Sequence, residues 1–85
     1  MTSDLDILSG NIRSELDYDG PLDPDADLLE AHILDSFNIV QMAMFIQETF
    51  GVELDGEDLV RANLARLSSM VALIARKRAA AAPST

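Results

Sequence analysis

An aspartate and a serine, Asp35-Ser36, head the most apolar run in the chain, which continues through Phe37, Ile39, Val40, Met42, Ala43, Met44 and Phe45. A serine at a helix start has its hydroxyl exposed, where backbone N–H groups and the helix dipole favour an anion such as phosphate. To act as a nucleophile unaided it needs a base within hydrogen-bond reach and a third group to orient that base. The only histidine, His32, lies four residues upstream. It has no second histidine and no cysteine with which to share a metal, so it reads as an ordinary loop residue. The carboxylates fall mostly in a solvated loop, with no pocket to raise a pKa for acid–base work. No catalytic residue and no metal ligand is therefore assigned, and the chain is not expected to be an enzyme. On the plainest reading Ser36 is an N-cap and Asp35 an acid suited to a helix start.

One other stretch could hold a ligand. From Asp19 to Glu30 the acids stand at the first, fifth, ninth and twelfth places of a twelve-residue window, as in a calcium loop. Pro21 takes a ligand position and Pro24 the position that needs glycine, which argues against calcium binding.

The elements that must position Asp35-Ser36 come from a chain of 85 residues, enough for one small domain with a thin core. The hydrophobic share of 48% against 25% charged is a folding composition. The absence of cysteine excludes disulfides and a zinc–thiolate site. No apolar run reaches the roughly 20 residues of a membrane span, and no secretory signal is visible at the N-terminus, so a cytoplasmic monomer is expected. All fifteen acids lie in residues 1–58, where Arg13 is the only base, a net charge of −14. Residues 59–85 carry five bases and no acid, a net +5. So acidic a body repels nucleic-acid phosphates and is steered towards basic protein partners.

The periodicity predicts an all-α fold: three main helices plus one short one, with a long loop between the first two. Ser3 caps a first helix that buries Leu5, Leu8, Ile12 and Leu16, and Tyr18 to Pro21 stop it. An acidic loop runs to about Asp35, tied down by Leu28, Leu29, Ile33 and Leu34. The second helix spans Ser36 to Phe50 and ends on Gly51. A short helical turn near Asp55 to Arg61 leads to a last helix from about Arg66 to Arg78, burying Leu67, Met70, Val71 and Ile74. Residues 1–78 form the domain, and residues 79–85 are expected to fray.

The second helix has two apolar stripes. At about 100° per residue from Ser36, Ile39, Met42, Ala43, Ile46 and Phe50 fall between about 240° and 340°, a core-facing stripe. Phe37, Val40 and Met44 fall between about 40° and 100°, beside Gln41, Gln47 and Glu48. A small bundle buries one face of such a helix. The second stripe is therefore expected to be exposed, bordered by Ser36 and suited to adaptable contacts through Met44.

Asp35-Ser36-Phe37 at the start of this helix resembles the Asp-Ser-Leu signature of acyl carrier proteins and peptidyl carrier domains. The likeness covers nearly the whole chain: first helix, long loop, Asp-Ser, Phe50-Gly51-Val52-Glu53-Leu54, short third helix and final apolar helix. It implies that Ser36 receives a 4′-phosphopantetheine arm from coenzyme A. The arm's thiol then carries an acyl or aminoacyl thioester between biosynthetic enzymes. The missing base belongs to a separate phosphopantetheinyl transferase, and Asp35 assists recognition or metal-assisted transfer there. The implied partners are that transferase, an adenylating or acyl-transferring loading enzyme, and downstream biosynthetic enzymes. Phe37, Val40, Gln41, Met44, Gln47 and Glu48 form the implied docking face.

Departures point to a subset of the family. Gln41 and Gln47 stand where fatty-acid carriers have acids, Phe37 replaces leucine, and Ile33-Leu34 replaces a glycine-containing turn. The string Ile33-Leu34-Asp35-Ser36-Phe37 is more similar to stand-alone D-alanyl carriers and discrete carriers of specialised biosynthesis. The competing reading is a small acidic interaction module in which Ser36 stays unmodified.

Overall fold

The computed structural model describes residues 3–81. Helix α1 spans Asp4–Leu16, and Ser3 caps it, its hydroxyl oxygen accepting the N–H of Asp6 at 3.1 Å. Leu8 and Ile12 are buried, with Leu5 and Leu16 packed at the core's edge. The helix ends at Asp17, whose left-handed φ of 50° turns the next N–H, that of Tyr18, back onto the carbonyl of Arg13 at 3.1 Å.

Helix α2 spans Ser36–Phe50 and closes on Gly51 at φ 67°, a conformation glycine adopts without the Cβ penalty. A 3-10 turn at Gly56–Asp58 and the four-residue α3, Arg61–Leu64, occupy the place expected for one short helical turn. Helix α4 spans Leu67–Ala81. It continues past Arg78 because alanine is the best helix former, yet Ala79 and Ala80 lie exposed. The part of the expected frayed tail beyond residue 81 lies outside the described residues.

The architecture is all-helical, as the periodicity predicts. The core joins Leu8, Ile12, Met42, Ala43, Ile46, Leu64, Leu67, Met70, Leu73 and Ile74 with Leu28, Leu34 and Val52 from the loops. In α4 the buried arc is Leu67, Met70, Leu73 and Ile74. Val71, expected inside, is half-buried on its flank, and Leu73 takes the central place.

The long loop between α1 and α2 is pinned on both sides. The N–H of Leu28 donates to Ala65 O at 2.8 Å, and the N–H of Ser68 donates to Pro24 O at 2.9 Å. The bases of the second half clamp the acidic first half. Arg61 pairs with Asp27 and Glu30, each at 3.2 Å, and Arg66 Nε donates to Asp25 O. Lys77 pairs with Asp58 and reaches Asp55 at 3.7 Å. Arg78 meets Asp4 at 3.0 Å while lying over the Phe50 ring, 5.3 Å from its centroid. Arg61, Arg66 and Lys77 thus hold the loops in place, and Arg78 ties α4 to the first turn of α1.

Candidate functional site

Asp35-Ser36 joins the pinned loop to α2. Leu28 and Leu34 are buried, and the N–H groups of Ile33 and Leu34 both return to Leu28 O at 2.9 and 3.1 Å. This tight turn delivers the chain to Asp35 in a fixed direction. It also places His32 at φ 59°, a left-handed conformation uncommon for a residue with a side chain, and leaves it exposed.

Asp35, not Ser36, is the N-cap of α2. The plain reading of Ser36 as the cap is corrected by one residue. Its physical reason lies at the third helical position. With Asp35 as cap that position is Asn38, which can return a hydrogen bond; with Ser36 as cap it would be Ile39, which cannot. The box is closed in both directions: the N–H of Asn38 donates to Asp35 Oδ1 at 2.8 Å, and the N–H of Asp35 donates to Asn38 Oδ1 at 3.1 Å. Ser36 is the first residue inside the helix. It is exposed, and among the described residues its hydroxyl has no hydrogen-bond partner. No base lies within hydrogen-bond reach of it among those residues, so the chain offers a bare hydroxyl at the positive end of a helix dipole.

Beyond Ser36, α2 shows its two stripes. Met42, Ala43 and Ile46 are buried, while Ile39 and Phe50 are half-buried against the core. Phe37 is 69% exposed, and Val40 and Met44 are 54% exposed. The expected exposure of this second stripe is met. Gln41 and Glu48 lie open beside it. Gln47 is placed differently from what its position suggested. It is half-buried, and its side-chain carbonyl accepts the N–H of Leu54 at 3.0 Å, which fixes the linker after α2. Two exposed apolar side chains had no warning in the helical pattern: Leu59 and Val60, between the 3-10 turn and α3.

The resemblance to a calcium loop has a concrete counter-argument. Asp27 Oδ1 accepts the N–H groups of Leu29 and Glu30, and Oδ2 faces Arg61. The Glu30 N–H, together with Arg61, holds the Asp27 carboxyl below its usual range. An acid engaged in its own turn and with a guanidinium is a poor calcium ligand. Among the described residues no three ligating side chains gather into a metal site, and no helix is long and apolar enough to cross a membrane.

Comparison with protein families matches residues 6–74 to the family described as a phosphopantetheine attachment site. Comparisons with curated proteins and with solved structures return no match.

Proposed function

The chain belongs to the phosphopantetheine attachment family, the family of acyl and peptidyl carrier domains, and from that premise we propose that Ser36 is the residue that bears the arm. The family's domains carry 4′-phosphopantetheine and work with phosphopantetheinyl transferases and biosynthetic enzymes. One observation supports this residue most strongly. Ser36 is exposed, its hydroxyl has no hydrogen-bond partner among the described residues, and it is first in a helix that is capped by the residue before it. A bulky group on this oxygen displaces no packed atom and breaks no hydrogen bond of the fold, so the residues present fit the group. When bound, the arm supplies the thiol that holds an acyl or aminoacyl unit as a thioester.

In the attachment step the Ser36 oxygen would form the new bond to the pantetheine-side phosphorus of coenzyme A while the pyrophosphate P–O bond breaks, adenosine 3′,5′-bisphosphate leaving and the serine proton passing to a base of the transferase. Asp35 has one carboxylate oxygen committed to the Asn38 N–H, and its second oxygen assists recognition or a metal ion in the transferase complex. Partners dock on Phe37, Val40, Gln41, Met44 and Glu48, with Gln47 beneath their edge. The cargo is passed on from a dedicated adenylating or acyl-transferring enzyme, in keeping with the D-alanyl-carrier flavour of residues 33–37.

Incubation with coenzyme A, magnesium and a broad-specificity phosphopantetheinyl transferase tests the assignment by intact mass. One arm is expected on the wild-type chain and none on Ser36→Ala. The variant should melt within about 0.5 kcal/mol of wild type, since an exposed residue inside a cap held by its neighbour contributes little. An unchanged wild-type mass with several transferases, or an adduct that survives the alanine substitution, would overturn the assignment.

A further inference from the structure

We infer that Asn38 is a positioning residue for attachment at Ser36, acting through the cap that it closes over Asp35. The inference rests on the carrier reading of Ser36. Asn38 stands two residues after the serine, half-buried. Its Oδ1 accepts the N–H of Asp35, the residue bonded directly to Ser36. Its Nδ2 lies 3.4 Å from Gln41 Oε1, which keeps the amide turned with its oxygen towards Asp35. The box therefore fixes the Leu34–Asp35 and Phe37–Asn38 peptides, one residue out on each side from the peptides that flank Ser36, and the serine is carried between two fixed points.

The two halves of this box do different work. The Asp35 carboxylate satisfies the Asn38 N–H and caps the helix. The Asn38 side chain satisfies the Asp35 N–H, which lies outside the helix and has no other acceptor among the described residues. Removing that acceptor leaves α2 capped, with the Asp35 carbonyl still accepting the Ile39 N–H at 3.0 Å, but frees the Leu34–Asp35 peptide, the one before the peptide that enters Ser36, to turn about the extended backbone of Asp35, φ −120°. A loosened approach to Asp35 sets Asp35 and the Ser36 hydroxyl beside it in the transferring geometry less often, and small misplacements around a nucleophile are costly. On the helix Asn38 lies about 60° from the nearest docking residue, Gln41, and about 100° or more from the apolar stripe. Its one hydrogen bond to that face is the 3.4 Å contact with Gln41, and an effect passed through Gln41 to docking would fall on KM, not on kcat.

The test follows arm transfer to wild type, Asn38→Leu and Asn38→Gln with coenzyme A, magnesium and a phosphopantetheinyl transferase, the carrier being the varied substrate. Asn38→Leu keeps the bulk and removes the acceptor. It should lower kcat about five- to tenfold, the size of one hydrogen bond, and leave KM for the carrier unchanged. Amide hydrogen exchange at Asp35 should quicken by a similar factor. Asn38→Gln, which places the usual capping-box amide at this position, should restore both rate and protection. Should Asn38→Leu melt early, Asn38→Ala is measured in its place, with the same expected kcat loss. Wild-type rates in the acceptor-deleted variant, a loss confined to KM, or a glutamine variant as slow as leucine would each overturn the inference while leaving the carrier reading intact. A wild-type chain that takes no arm at Ser36 sinks the carrier reading, and this inference with it.

Discussion

The side-chain carbonyl of Gln47 accepts the backbone N–H of Leu54, 3.0 Å away, and so ties the end of α2 to the linker that follows it. Gln47→Ala should remove this bond at a cost of about 1 kcal/mol, a fall of about 4–8 °C in melting temperature for a domain this size. Gln47→Glu keeps an acceptor and should melt close to wild type. Thermal melts with amide exchange at Leu54 decide the matter. If the alanine variant keeps both its melting temperature and its Leu54 protection, the tie is not structural.

The two stripes of α2 should separate in a mutant series. Val40→Ala and Met44→Ala truncate exposed side chains and should change stability by under about 0.5 kcal/mol while slowing loading or onward transfer. The contact they make should depend on apolar burial, worth about 25 cal/mol per Å². Ile46→Ala, in the buried stripe, should cost about 2–5 kcal/mol. Melts and arm-transfer rates on the three proteins are the check. Early melting of all three, or unaltered rates for the first two, would remove the docking face.

Acid and alkali should act on the clamp between Lys77 and the 3-10 turn. The hydrogen bond from Lys77, followed by the Asp55 N–H, holds the Asp58 carboxyl below its usual range, and the Asp58 hydrogen bond raises Lys77 above its own. A lowered carboxyl stabilises the fold at pH values above the ordinary value of about 4 and stops doing so as pH falls through the lower folded value. Asp27 acts in the same direction. A raised lysine stabilises below its ordinary value of about 10.4 and stops as pH rises through the higher folded one. These groups should therefore leave stability flat from about pH 5 to 10 and lower it at both ends. Asp58→Asn should flatten part of each limb in pH-dependent melts. Limbs identical to wild type would show that the clamp makes no contribution.

The broad design was legible because apolar spacing carries it. Leu5, Leu8, Ile12 and Leu16 announced α1, and Ser3 and Gly51 behaved as the capping residues that they are. What escaped the pattern depended on choices that local sequence leaves degenerate. Asp and Ser cap helices about equally well, so the one-residue register at Asp35-Ser36 was settled by Asn38, through a reciprocal bond. Gln47 looked like a surface residue because an amide shows no preference between solvent and a backbone N–H seven residues on. Val71 and Leu73 are both apolar and two residues apart. Which faced inward was set by how α4 lies against its neighbours, not by the spacing within it. The proposal of Ser36 as the attachment residue rests on the whole-chain resemblance, since a hydroxyl at a helix start has no chemistry of its own.

The Asp4–Arg78 ion pair has a topological consequence. It brings the first turn of α1 and the distal part of α4 within reach of two side chains, 3.0 Å apart at their tips. The described chain thus begins and ends at one pole of the bundle. A fold arranged in this way can be spliced into a loop of another protein without prising that loop apart, or closed head to tail and reopened elsewhere. Two such units joined by a short flexible segment would each keep their own clasp, and each unit could swing as a whole about that segment.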